Sequence, residues 1–123
     1  MGLTVTHGCF NGPYRTFHWW RTAIATAAGI DIEKMEGYCE DESVIPIPWR
    51  TLEPDILHVL LFHSDYDGSI AAEQCGPLAD RLQQLLDVMK ASSDSETDEQ
   101  KVTLKFIKGL RRAASRGKGV EFE

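Results

Sequence analysis

His63, Asp65, Asp67, Ser69 and Glu73 set oxygen and imidazole donors within one short stretch of this 123-residue chain, bent at Gly68. Carboxylates spaced around a glycine turn suit a hard divalent cation, which takes several oxygen ligands from a loop that curls round it. A second group lies near the start: His7, Gly8, Gly12, Arg15, His18 and Trp19. Guanidinium pairs with phosphate oxygens, an indole face stacks on a base, and glycines let backbone N–H groups approach an anion. A third group is Lys101, Lys105, Lys108 and Arg112, at steps of four, three and four. These share one helical face and gather positive charge suited to phosphate or an acidic partner. Each group also has an ordinary structural reading: a loop held by Asx-type hydrogen bonds, an indole covering a hydrophobic or subunit contact, a solvated helix face.

The elements that must carry these groups are mostly helical. Phe17, Trp20, Ile24 and Ala27/Ala28 recur at helical spacing, which predicts a helix over 13–28 with Pro13 in its first position and Gly29 as C-cap. Ile56, Leu57, Leu60 and Leu61 predict a second helix over 52–63, capped by Thr51. Cys75, Leu78, Leu82, Leu85, Leu86 and Met89 predict a third over about 72–90, its start interrupted by Pro77. Val102, Phe106, Leu110 and Ala113 predict a fourth over 98–115, with Thr97 and Gln100 as a capping box and Gly117 and Gly119 ending it. Leu3–Thr6 and Val120–Glu123 alternate apolar and polar, which predicts short strands. The two ends are expected to pair with each other, or the first strand with Val44–Ile47. Residues 45–49, with Pro46 and Pro48, read as extended, and the polar, acidic run 91–98 as a flexible connector. The fold expected is mainly α (α+β): one compact four-helix domain over 1–123 with short terminal strands.

His63 to Glu73, set between two apolar helical patterns, resembles the middle of a calcium-binding EF-hand loop. Placing Gly68 at the sixth position puts Asp65, Asp67 and Ser69 at the third, fifth and seventh, and Ile70 where an apolar residue packs inward. His63 and Gln74 stand where the two anchoring carboxylates belong, and Glu73 falls one residue early. A neutral imidazole and an amide in those places remove most of the affinity such a loop has for Ca2+.

Bulk properties restrict the function further. Net charge is −6, unevenly spread: residues 31–99 hold 17 acids against four bases, and 100–118 hold seven bases and no acid. An acidic middle between basic ends can fold back and neutralise, or present a positive face to an anionic partner. No apolar run approaches the roughly 18 residues that span a bilayer, and the opening lacks a leader's basic and apolar regions, so no membrane or secretory role is expected. Three scattered cysteines (Cys9, Cys39, Cys75) read as free thiols of a reducing cytoplasm. His7 with Cys9, or His58 with Cys75, are conceivable thiol–imidazole pairs, but no phosphate-loop, nucleophile-elbow, zinc-protease or dinucleotide motif accompanies them. Aromatic residues do not interleave the basic helix face, which argues against nucleic acid.

Taken together, Gly2-Leu3-Thr4-Val5-Thr6-His7-Gly8-Cys9-Phe10-Asn11-Gly12-Pro13-Tyr14, then Phe17 to Arg21, then His63-Ser64-Asp65-Tyr66-Asp67-Gly68 resemble a group of small uncharacterised proteins encoded by bacteriophages and bacteria. By analogy of context, the resemblance implies binding rather than catalysis: occluding a host protein, or sequestering a signalling nucleotide used in defence. The leading expectation is a non-enzymatic, phage-encoded, anti-defence binding protein in the bacterial host's cytoplasm, capturing an anionic nucleotide-like ligand without a cofactor, in a chain that can form homo-oligomers. Its ligand residues would be His7, Gly8, Gly12, Arg15, His18, Trp19, Lys105, Lys108 and Arg112. One alternative is a divalent-metal module using Asp65, Asp67, Ser69 and Glu73 for Ca2+. The other is a protein–protein inhibitor of a host factor acting through the basic C-terminal helix.

Overall fold

The structure, a computed structural model, describes residues 2–31, 34–35, 42–43, 45–48, 55–61, 68–93 and 95–123. Element order is β1 (Gly2–Val5), β2 (Phe10–Pro13), α1 (Tyr14–Ala27), α2 (His58–Leu61), β3 (Ser69–Ile70), α3 (Ala72–Ala91), α4 (Asp98–Ser115) and β4 (Val120–Glu121). Helix dominates, as composition and period imply, and two short antiparallel ladders complete the architecture.

The ends of the chain do pair. Val5 bridges Phe122 antiparallel, and Thr4 and Glu123 exchange backbone hydrogen bonds at 3.1 and 2.8 Å. On its other edge β1 pairs with β2, from Gly2↔Pro13 to Val5↔Phe10, while β3 pairs with β4 through Ile70↔Val120. The two ladders are thus stitched into the spatial order β2-β1-β4-β3. Leu3, Val5, Phe10, Ile70, Val120 and Phe122 are buried and turn one face toward the helices. Ile47 bridges Met35 in parallel rather than joining β1, and Val44 lies outside the described residues.

Strand β2 runs through Asn11-Gly12-Pro13, which corrects the expectation that Pro13 opens the first helix. Its hairpin is closed by His7 (φ 63°) and Gly8 (φ 76°), with Cys9 N–H donating to Thr6 O at 3.4 Å. Positive φ at both central residues matches the right-handed twist of the flanking strands, the role Asn-Gly commonly fills. Pro13 is therefore the last strand residue and the N-cap of α1, extended at φ −62°, ψ 148°, not its first helical residue.

Helix α1 ends at Ala27 with Ala28 as C-cap, one residue before the Gly29 expected there. Gly29 (φ 78°) follows the C-cap, Gly29 N–H donates to Thr26 O and Ile30 N–H to Ala25 O, so two orphan carbonyls are satisfied. Gly117 (φ 65°) ends α4 in the same way through Gly117 N–H to Ala114 O and Lys118 N–H to Ala113 O. Among the described residues the second helix starts later than its pattern: α2 begins at His58, and residues 55–57 form a turn in which Asp55 Oδ1 accepts Leu57 N–H, while 52–54 and 62–63 lie outside the described residues. Thr51 lies outside the described residues. Pro77 does not interrupt α3. It is exposed near the helix start, where the Glu73 carbonyl deprived of a donor can face water. At α4, Thr97 Oγ1 accepts Gln100 N–H, but the Gln100 side chain donates to Met89 O and ties α4 to the end of α3 instead of closing the capping box.

The core is one apolar cluster fed by every element. At its centre Phe17 meets Phe10, Phe122 and Trp20 at centroid distances of 5.2, 5.7 and 5.8 Å, and Trp20 stacks on Phe106 at 4.7 Å. Such pairs contribute roughly 0.5–1.5 kcal/mol each beyond area burial. The Trp20 indole N–H donates to buried Thr103 at 2.9 Å, so its polar edge is satisfied inside the core.

Candidate functional site

The basic row of α4 is built by exclusion. Thr103, Phe106, Ile107, Gly109, Leu110 and Ala113 are buried, which leaves Lys101, Lys105, Lys108 and Arg112 on the exposed side. Gly109 brings the β1–β2 turn onto this helix. A Cβ there would lie 2.5 Å from Cys9 Sγ and 2.8 Å from both Cys9 Cα and N, so only glycine admits so close an approach. Gly8 is thereby carried to the side of α4, where Arg112 Nη1 donates to His7 O across the turn. Gly8, Glu96, Lys101, Leu104, Lys105, Lys108 and Arg112 line a groove of about 450 Å³.

Four cations face one carboxylate in this groove. Among the described residues, Lys101, Lys105 and Lys108 form no ion pair, whereas Arg111, one residue from Arg112, turns away to Asp80 at 3.7 Å. Charge gathered in a concave wall and left unneutralised by the protein raises the local concentration of anions. Such lysines offer three rotatable donors each, and Arg112 adds a planar fork.

The anion residues inferred from sequence are therefore divided. Gly8, Lys105, Lys108 and Arg112 converge, with Lys101, Leu104 and Glu96 added. Arg15 and His18 lie exposed on α1 and do not line the groove. Trp19, 40% exposed, lines a different depression against Met89 and the start of α4. His7 lines a third, of about 510 Å³, which also takes in Ser69, Lys118 and Glu121. Gly12 is a ladder residue opposite Leu3, where a Cβ would press on the Phe10 ring at 3.3 Å. Arg21, on the same helix, is internal: it is 2% exposed, its guanidinium lies 4.7 Å over the Phe17 ring, and Nη1 donates to Leu60 O at 3.4 Å.

Asp65 and Asp67 lie outside the described residues. Ser69 sits in β3 and Glu73 in the exposed first turn of α3. Gln74, at the position of the bidentate anchor, turns back so that its Oε1 accepts Ala71 N–H at 3.2 Å. That oxygen caps a helix. Among the described residues no three His, Cys, Asp or Glu side chains converge on a common point.

The two described thiols, Cys9 and Cys75, are buried, and Cys39 lies outside the described residues. Burial, with the neighbouring Cys75 charge adding and Arg112 opposing, pushes Cys9 up to about 12. Burial also raises Cys75, against the Val120 N–H. Neither imidazole is aimed at them: His7 Nδ1 meets Thr6 Oγ1 at 3.2 Å and His58 Nδ1 meets Asp55 O at 3.0 Å. A neutral buried thiol is a poor nucleophile.

No protein-family model matches this chain, and neither the curated proteins nor the solved structures give a match. Among the described residues, no helix is long and apolar enough to cross a membrane.

Proposed function

We propose that this chain is a non-enzymatic binding protein that captures an anionic, nucleotide-like ligand, with the ligand's phosphates held in the basic groove. The observation that carries this reading is the convergence of Lys101, Lys105, Lys108 and Arg112 with Gly8 on one concave surface, where the three lysines form no ion pair among the described residues and Glu96 is the one lining carboxylate described. Its volume of about 450 Å³ falls within the range of small-molecule sites. That favours a compact ligand over a flat contact with a host protein through the same helix. Among the described lining residues Leu104 is the one large apolar side chain, so recognition rests on phosphate charge more than on the base. The resemblance to small phage proteins agrees with capture as a means of sequestration in an anti-defence role.

Titration of the protein with inorganic phosphate, inorganic triphosphate and ATP tests this. Affinity should rise with the number of phosphates and fall steeply with salt. Replacing Lys105 and Lys108 together by Glu should weaken triphosphate binding by about tenfold or more, because charge-assisted hydrogen bonds contribute roughly 1.5–3 kcal/mol. Both residues are exposed, so the melting temperature should hardly change. Equal affinity in wild type and double variant would overturn the reading.

A further inference from the structure

A second depression, of about 420 Å³, opens where α1, the end of α3 and the start of α4 meet. Its apolar wall is Trp19, Ala23, Ala27 and Met89. Its polar rim has a specific chemical sign. Thr22 Oγ1 donates to His18 O at 3.0 Å, and Thr26 Oγ1 to Thr22 O at 2.9 Å. Ser92 Oγ donates to Val88 O and Met89 O, and Ser93 Oγ to Ser95 O. Gln100 Nε2 donates to Met89 O. A hydroxyl carries one proton, and in each of these serines and threonines it is already committed to a main-chain carbonyl. What these four hydroxyls offer a guest is lone pairs, while the Thr97 hydroxyl, the Gln100 amide and the Trp19 indole add donors. The Glu99 carboxylate adds a negative charge, and no Lys, Arg or His is among the lining residues described.

From this accounting we infer that the Trp19 depression is a binding site for an organic cation, an alkyl-guanidinium or alkyl-ammonium group that lays its apolar stem on Met89 and its charge between the Trp19 indole and Glu99. The guest must bring the positive charge, since no lining residue described supplies one and Glu99 carries the opposite sign. Indole is the best of the aromatic faces for a cation, and a planar guanidinium stacks on it while keeping its N–H groups free for the rim. An anion would meet Glu99 and unshared oxygen pairs. The positive end of the α4 helix dipole is also close, but Asp98 and Glu99 in the first turn counter it. The chain thus carries two depressions along α4 with opposite charge preferences: four cations against the Glu96 carboxylate in one, and the Glu99 carboxylate with no cation among the described lining in the other.

Butylguanidinium, butylammonium and neutral butanol, each titrated while the Trp19 indole N–H resonance is followed by NMR, provide the test. Butylguanidinium should shift that resonance and bind at least about tenfold more tightly than butanol, as a cation–π contact joined to a carboxylate contact implies. Glu99→Gln should reduce guanidinium affinity several-fold while leaving butanol unchanged. Trp19→Phe keeps an aromatic surface should Trp19→Ala unfold the chain, and should retain weakened binding. Equal affinity for butanol and butylguanidinium, or no effect of Glu99→Gln, would overturn the inference, as would a silent Trp19 resonance. The Lys105 and Lys108 double replacement should not affect this site, so failure here is distinguishable from failure of the phosphate reading.

Discussion

Gly109→Ala isolates the contact that builds the basic groove. In an exposed helix interior the change would stabilise, because alanine is favoured over glycine by about 0.8–1 kcal/mol. Here the new methyl would stand 2.5 Å from Cys9 Sγ and 2.8 Å from Cys9 Cα and N. Comfortable carbon contacts lie near 3.5–4.0 Å, so the turn must retreat by about 1 Å. Two of the three clashing atoms are backbone and cannot rotate aside. Overpacking costs about 1–3 kcal/mol, and with two backbone atoms in the clash the cost falls in the upper half of that range, so after the propensity gain a net loss on the order of 1–2 kcal/mol remains. In a chain of this size that is a drop of roughly 3–10 °C in melting temperature. Urea denaturation gives the free energy, and Cys9→Ala in the same background should restore only part of it, since it removes Sγ and leaves Cα and N. Because Gly8 moves with Cys9, triphosphate affinity should fall as well. A Gly109→Ala protein as stable as wild type would refute the claim that the turn is seated on α4 at this distance.

Two further perturbations probe the frame that holds the groove. Thr103→Val keeps the shape of the side chain but strips the Trp20 indole N–H of its 2.9 Å acceptor, and should cost about 1–3 kcal/mol in urea unfolding; an unchanged midpoint would show the indole finding another partner. Burial works to raise the Asp55 carboxyl, but the Arg81 hydrogen bonds, the Leu57 N–H and the Arg81 and His58 charges outweigh it and hold it below its ordinary value. A depressed carboxyl contributes stability above its unfolded value, about 3.9, that disappears as pH falls through the folded one. Asp55→Asn should therefore be less stable than wild type near neutrality and converge with it in strong acid, and a gap of constant size across that pH range would contradict the assignment.

The parts of this fold that could be read from the chain are those set by neighbours in sequence. Gly29 and Gly117 ended their helices because a left-handed residue there closes two local hydrogen bonds, and Thr97 capped α4 for the same local reason. The pairing of the two ends was also legible, since Leu3, Val5, Val120 and Phe122 leave one apolar edge apiece. Strand β2 was not, because Gly12 and Pro13 signal a turn unless the positive φ of His7 and Gly8 is known. Two-residue β3 exists only through its partner β4, which lies fifty residues further along the chain. For the site, the step pattern of Lys101, Lys105, Lys108 and Arg112 gave the face, but not what stands opposite it. Arg15, His18 and Trp19 were grouped with that face by chemistry alone, and helix α1 directs them elsewhere. The one sequence clue to the groove's other wall was a glycine in the middle of a helix, Gly109, whose meaning depends on a residue a hundred positions away.

The seam between Thr4 and Glu123 also sets an order of events. Closing a loop of that length costs an entropy worth about 4 kcal/mol before any contact repays it. During synthesis β1 can form its hairpin with β2 early, but its second neighbour emerges over a hundred residues later. The aromatic cluster around Phe17 must therefore wait for Phe122, and the nascent chain spends its elongation with that apolar face uncovered, a window in which chaperones or self-association compete with completion of the fold.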